Sequence, residues 1–334
     1  MNTQITATPK LFIGIDIHKR SWKVHCATDL SSGKTFSMPP CAELLYEYVT
    51  KHYPGYYVSS AYEAGCCGYR AHRCFVGYGW RSLVVNPADI FRRGKERPTK
   101  TDRIDAQLIA RELKDGRLNS ICVPDKCREQ LRSLFRRRND LVKDMRQIKS
   151  YIKMQLLYYG IGIPQDLDND HWSHKFRDWV DGLDYTGREV LRSRMRSFRF
   201  IDQEFRDVST LLRRYTKIHF KKDYMLLRSI PGLGPIVAGG ILSELGDLRR
   251  FRNIKHLAGY VGLAPGIYQS GDTVRYTGVS MRAHHLIRSY FIKASWQAIR
   301  TDPVMQAFYC KHHGKNVKSV IVKVVRKLFG RPWR

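Results

Sequence analysis

The chain has 334 residues, 43% of them hydrophobic, which is enough for two or three domains with buried cores and too apolar for a disordered tail. Lys and Arg number 59 against 30 Asp and Glu, and the resulting formal charge of +29 repels itself unless a polyanion is bound, so nucleic acid is the expected partner and an acidic membrane surface the lesser one. No stretch approaches the roughly 20 apolar residues of a membrane span, and the opening MNTQITATPK lacks a signal-peptide core, so the expectation is a cytoplasmic protein with no membrane partner and with reduced cysteines.

Residues 1–117 alternate strand-like and helix-like stretches, the pattern of an α/β domain. LFIGIDIH reads as a buried strand, SWKVHCATD as its alternating partner, and GKTFSMP, after the Ser-Ser-Gly turn, as a third strand. A helix follows through Ala42 to Tyr53. YYVSSAYEAG is a fourth strand ending at Glu63, RSLVVNP a fifth, and TDRIDAQLIARELKDG a helix closed by Gly116. Three hairpin-linked strands followed by alternating helices and strands give the order expected of a ribonuclease-H-like fold.

From 118 to 223 the chain turns to long basic helical runs. Leu131, Leu134, Leu141, Met145, Ile148, Ile152 and Leu156 recur at coiled-coil spacing, and so do Leu191, Met195, Phe198, Ile201, Phe205, Val208 and Leu212. Joined through the connector from Gly160 to Gly187, these runs predict a coiled-coil arm, either an antiparallel hairpin or a dimerisation arm. Its arginines Arg136, Arg137 and Arg138 fit a solvated face and a nucleic-acid-binding face equally well. Residues 224–334 read as a compact helical domain.

Four carboxylates stand at positions that such a fold would bring together. Asp16 ends the first strand and Glu63 the fourth, while Asp102 and Asp105 lie three residues apart on one face of a helix. Hard divalent ions such as Mg²⁺ prefer such oxygen ligands, and paired ions can clamp the attacking and leaving oxygens of a phosphodiester. Each acid taken singly also fits a surface or capping role; Asp102, after Thr101, would suit a helix start. Asp89, Glu96 and Glu112 are set aside as ligands, because they fall in the basic loop or farther along the helix. Cys66, Cys67, His72 and Cys74 cluster without a usual zinc spacing.

Toward the C-terminus, SIPGLGPIVAGGILSELGD places Gly232 and Gly234 in a tight turn between helices, where backbone N–H groups and a helix N-terminus can hold a phosphate without reading sequence. This is a helix-hairpin-helix pattern, and the same glycines would also serve a plain interhelical turn. Ser270 follows in a loop rich in turn residues, with Arg275, Arg282 and Arg288 downstream. A serine hydroxyl becomes a nucleophile once its proton is removed and the target's charge is neutralised. On chemistry alone Tyr268 and Ser280 would serve as well, and Ser270 also suits an ordinary turn.

At these residues the chain resembles the DEDD transposases of the insertion-sequence IS110 family, relatives of the Piv-type DNA invertases. The signatures are IGIDIHK around Asp16, YEAGCCGY around Glu63, VVNPADI, KTDRIDAQLIA around Asp102 and Asp105, SIPGLGPIVAGGIL, HLAGYVGLAPG, and QSGDTVR around Ser270. They run in family order along nearly the whole chain. The resemblance implies a RuvC-like domain holding the four acids, a coiled-coil arm, and a transposase domain whose Ser270 forms a phosphoserine link with DNA. It further implies a structured bridge RNA that pairs with donor and target DNA, and a homo-oligomer, dimer or tetramer, in which acids and serine of one active site come from different protomers. Two other readings stay open: a ribonuclease-H-fold nuclease or junction resolvase using metal-activated water, and a nucleic-acid-binding relative without catalysis.

Overall fold

Strand β1 (Lys10–Ile17) sits at the centre of the first sheet, and its sequence shows why both faces must be covered. Leu11, Ile13 and Ile15 are fully buried in one core with Leu45, Val49 and Phe75, whereas Phe12 packs into a second core with Ala61, Leu108 and Ile109. Such a strand is apolar on both faces and belongs in the middle of a covered sheet. The computed structural model describes residues 8–91, 101–168, 172–270, 273–279, 283–312, 314 and 316–330, without the side chains of 265–282. The described chain divides into two compact units, residues 1–123 and 124–334.

In the first unit, β1 pairs antiparallel with β2 (Trp22–Thr28), which pairs antiparallel with β3 (Lys34–Met38). On its other side β1 runs parallel to β4 (Tyr57–Glu63), and β4 parallel to β5 (Arg81–Val85), giving the order β3-β2-β1-β4-β5. Parallel neighbours need crossover connections. These are α1 (Ala42–His52) and α2 (Arg70–Gly77), whose Leu45, Val49 and Phe75 cover one face. The second helix is an element that the sequence reading left unassigned. The last helix of the unit, α3 (Asp102–Lys114), covers the opposite face; Thr101 caps it, its Oγ1 accepting from the Ile104 amide at 3.4 Å.

The second unit begins with the long helix α4 (Lys126–Tyr158), capped by Asp125, whose carboxylate accepts from the Arg128 amide at 2.8 Å. It packs antiparallel to α6 (Arg188–His219), with Arg138 beside Ser209 at one end and Gln155 beside Gly187 at the other. At the far end Ile152, Leu156, Leu191, Met195 and Phe198 form a small core. That core is plugged by Trp172, Phe176 and Val180, the last two on α5 (His174–Asp181), a helix inside what the sequence reads as a connector. At the near end Leu131, Phe135 and Leu212 join the main core of the unit.

That main core is built by α7 (Lys221–Arg228), α8 (Pro235–Glu244), α9 (Ile254–Val261), α10 (His285–Thr301), α11 (Pro303–Cys310) and α12 (Val317–Phe329). The C-terminal part is not wholly helical, which corrects the sequence reading. Strands β6 (Pro265–Ser270) and β7 (Thr273–Val279) pair antiparallel, with Tyr268 opposite Arg275 and Ser270 opposite Thr273. The β-branched and aromatic residues Ile267, Tyr268, Thr273, Val274 and Tyr276 favour extended backbone, so Ser270 ends a strand rather than sitting in an open loop. Among the described residues no helix is long and apolar enough to cross a membrane.

Candidate metal centre

The carboxylates of the first unit are set by the sheet and by one glycine. Ile15 is paired with Tyr62 across the parallel β1–β4 ladder, so Asp16 and Glu63, each one residue further on, leave the same edge on neighbouring strands. Side chains alternate along a strand. Asp16 therefore shares the face of Phe12 and Gly14, and Glu63 that of Ala61, which is the face covered by α3. A Cβ on Gly14 would fall 2.1 Å from the Ala106 carbonyl oxygen and 2.4 Å from the Ala110 nitrogen. Only glycine lets α3 come this close, and α3 carries Asp102 and Asp105 in its first turn.

Around Asp16 the groups crowd. His18 Nε2 lies 3.0 Å from Asp16 Oδ2 and 3.7 Å from Asp102 Oδ1. One ligand atom from each of Asp16, His18 and Asp102 falls within 4.8 Å of the others, a spacing open to a metal ion. The Asp16 carboxyl is held above its ordinary range by burial, with the like charges of Asp102 and Asp105 adding to the rise and His18 opposing it. Asp105 is buried, whereas half of His18 and more than half of the Asp102 side chain are exposed. An oxygen-rich set of like charges around a half-buried carboxylate is the environment that a hard divalent cation would relieve. Beside His18 opens a cleft of about 300 Å³, lined also by Lys19, Trp22, Glu43, Cys67 and Arg70.

His18 is the candidate ligand that sequence reasoning missed. The signal was present, since Asp16 and His18 stand two residues apart at a strand end and so share a side. Of the acids set aside, Glu112 is buried and receives both Nε and an NH2 nitrogen of Arg117, at 2.7 and 2.8 Å; those bonds hold its carboxyl below the usual range. Asp89 ends a short 3-10 turn, and Glu96 lies outside the described residues. Cys66 and Cys67 have their sulfurs 4.0 Å apart, but His72 is turned to Ser82 Oγ at 3.1 Å.

In the second unit, Gly232 has φ +88°, and a Cβ there would lie 2.6 Å from the Ala298 nitrogen, so the turn between α7 and α8 is fitted against α10. Gly234 has ordinary φ, caps α8, and has open space where a side chain would go. Arg136 donates to both oxygens of buried Glu244, at 2.7 and 2.9 Å; burial alone would raise that carboxyl, yet His284 and Arg136 hold it at about 2. Arg138 donates to Ser209 Oγ and the Tyr290 hydroxyl and lies over the Phe205 ring, while Arg137 is exposed. Arg288 donates to the Gly262 carbonyl at 3.3 Å and lies 2.7 Å from His285 Nδ1. Arg275 falls on β7, and Ser280 and Arg282 lie outside the described residues.

A central β1 flanked by one antiparallel and one parallel neighbour carries at its end a group of Asp16, His18 and Asp102 with spacing that could hold a metal ion, and Glu63 and Asp105 are not part of that group. Residues 13–161 match the model of the DEDD transposases of IS110, and residues 224–310 that of the transposase IS116/IS110/IS902 family. The chain belongs to this transposase family. It is 28% identical to y4qE of Sinorhizobium fredii, which carries a transposase name, over 72% of this chain and 58% of that relative. It is 24% identical to the transposase for insertion sequence element IS1111A of Coxiella burnetii, and 26% identical to the pilin gene-inverting protein of Moraxella lacunata, each over 73% of this chain and 69% of the relative. The chain thus spans less than two thirds of the first of these relatives and slightly more of the other two.

Proposed function

We propose that this protein is an insertion-sequence recombinase that cuts and rejoins DNA, with a ribonuclease-H-like (RuvC-like) first domain in residues 1–117, a coiled-coil arm in 118–223 and a transposase domain in 224–334. The observation that carries the reading is the meeting of Asp16, Asp102 and His18 at the end of β1, in a chain whose family is defined by such acids. Asp16, Glu63, Asp102 and Asp105 are the residues that would hold a divalent ion, Mg²⁺ in the cell. When bound, it supplies positive charge to the phosphate under attack.

Ser270 is the proposed nucleophile. Its Oγ forms a bond to phosphorus, the bond from phosphorus to one deoxyribose oxygen breaks, and the proton lost from Oγ is balanced by one gained at that leaving oxygen. Rejoining reverses these changes, with a hydroxyl of the exchanged strand displacing the serine. The broken ester is conserved as a serine ester, so no nucleotide cofactor is consumed. Exposed Arg137, together with Arg275, Arg282 and Arg288, is proposed to contact backbone phosphates, and the Gly234 end of α8, with Gly232 shaping the turn, to offer amide N–H groups to another. Arg136 and Arg138 serve this surface by holding α4 to α8 and α10. We also propose that a bridge RNA selects donor and target DNA by base pairing, and that the protein acts as a homo-oligomer.

Asp16→Asn and Asp105→Asn, supplied with the element's noncoding RNA in a two-plasmid assay, are expected to lose recombination while keeping wild-type circular dichroism. Recombination retained by either variant would contradict the metal assignment.

A further inference from the structure

We propose that His18 is a ligand of the same centre, supplying nitrogen beside the oxygens of Asp16 and Asp102, and that it shifts the preference of the site from Mg²⁺ toward borderline ions such as Ni²⁺. The inference rests on the metal-centre reading above and goes beyond the four acids. Around an octahedral ion with ligands at about 2.1 Å, adjacent ligand atoms are about 3.0 Å apart and opposite ones about 4.2 Å. The 3.0 Å from His18 Nε2 to Asp16 Oδ2 matches the adjacent spacing, and the 3.7 Å to Asp102 Oδ1 lies between the two. The first pair therefore already stands at the spacing of adjacent ligands, and the second reaches one by a movement of less than about 1 Å, without rearrangement of the backbone.

Position in the fold supports this role. His18 follows β1 directly, on the side of Asp16, and its half-exposed ring can move by a fraction of an ångström to admit an ion between itself and the two carboxylates. Imidazole nitrogen suits borderline ions such as Ni²⁺ better than Mg²⁺, which prefers carboxylate, carbonyl and water oxygens. A histidine that merely orients Asp16 would instead leave nitrogen outside the coordination shell.

Pulsed electron paramagnetic resonance of the Mn²⁺-loaded full-length protein, without nucleic acid, distinguishes these roles. Wild type is expected to show the coupling of a directly bound ¹⁴N, and His18→Ala to lose it. Calorimetry is expected to show Ni²⁺ binding weakened about tenfold or more in His18→Ala, with Mg²⁺ binding changed by less than about threefold. Because His18 is half exposed, the variant should melt as wild type does. Mn²⁺ binding that is abolished by Asp16→Asn yet shows no ¹⁴N coupling in wild type, or a coupling that survives His18→Ala, would overturn the proposal and leave the metal centre standing. Absence of any Mn²⁺ binding that depends on Asp16 would overturn the metal centre itself, and this proposal with it.

Discussion

Replacing Gly14 with alanine tests how the acids are brought together. The added Cβ would sit 2.1 Å from the Ala106 carbonyl oxygen and 2.4 Å from the Ala110 nitrogen, where ordinary contact needs about 3.5 Å. Both obstacles are backbone, so no side chain can rotate away and α3 must withdraw by about 1 Å. Overpacking of this kind costs about 1–3 kcal/mol, and rigid obstacles place this case near the upper figure. For a unit of this size that corresponds to a fall on the order of 10 °C in the melting temperature of its transition. The same withdrawal carries Asp102 and Asp105 away from Asp16, and ligands must hold their distances to within about 0.2 Å, so Mn²⁺ affinity should fall at least about tenfold. Differential scanning calorimetry and titration calorimetry on Gly14→Ala read the two effects separately. A variant that melts and binds Mn²⁺ like wild type would refute the argument that this glycine seats α3 over β1.

Glu244 should give the second unit an acid-sensitive limb. Its carboxyl is held at about 2 against an ordinary 4.5, so it contributes about 3 kcal/mol that is fully present above pH 4.5 and is lost as pH falls toward 2. Denaturant midpoints measured from pH 6 to pH 2 should fall less steeply for Glu244→Gln than for wild type, and identical slopes would contradict the assignment. The two hairpin glycines should separate stability from binding. Gly232→Ala meets both a left-handed backbone and Ala298, and should destabilise by about 1–3 kcal/mol in thermal melts. Gly234→Val has open space and should melt near wild type while weakening binding to nucleic acid in a filter assay; unchanged affinity would remove this turn from the interface.

The first unit was the more legible half, because its information is local. Alternation in LFIGIDIH and SWKVHCATD marks strands, and the capping pattern at Thr101 marks the start of α3 beside two acids. The closeness of α3 was not legible, since Gly14 looks like any strand glycine until Ala106 is known to lie over it. His18 was passed over for a similar reason: a single histidine after a strand gains meaning only when Asp102, far along the chain, arrives 3.7 Å away. In the second unit Arg136, Arg137 and Arg138 are indistinguishable as a basic run, yet one faces Glu244, one faces solvent and one faces Tyr290. Helical spacing identified the seam of α4 and α6 but not α5, whose eight residues are too few to show a period. Around Ser270 the turn residues Gly271 and Asp272 dominated the reading and masked the alternation on either side.

Covalent chemistry at Ser270 supported by the acids is read out by a suicide DNA substrate nicked beside the cleavage site, incubated with the protein, Mg²⁺ and the element's RNA. A protein–DNA adduct that survives denaturation is expected, with mass spectrometry placing the phosphodiester on Ser270, and no adduct from Ser270→Ala or Asp16→Asn. An adduct on Tyr268 or Ser280, an adduct formed by Ser270→Ala, or cleavage without any adduct would contradict it, the last pointing to water as the nucleophile.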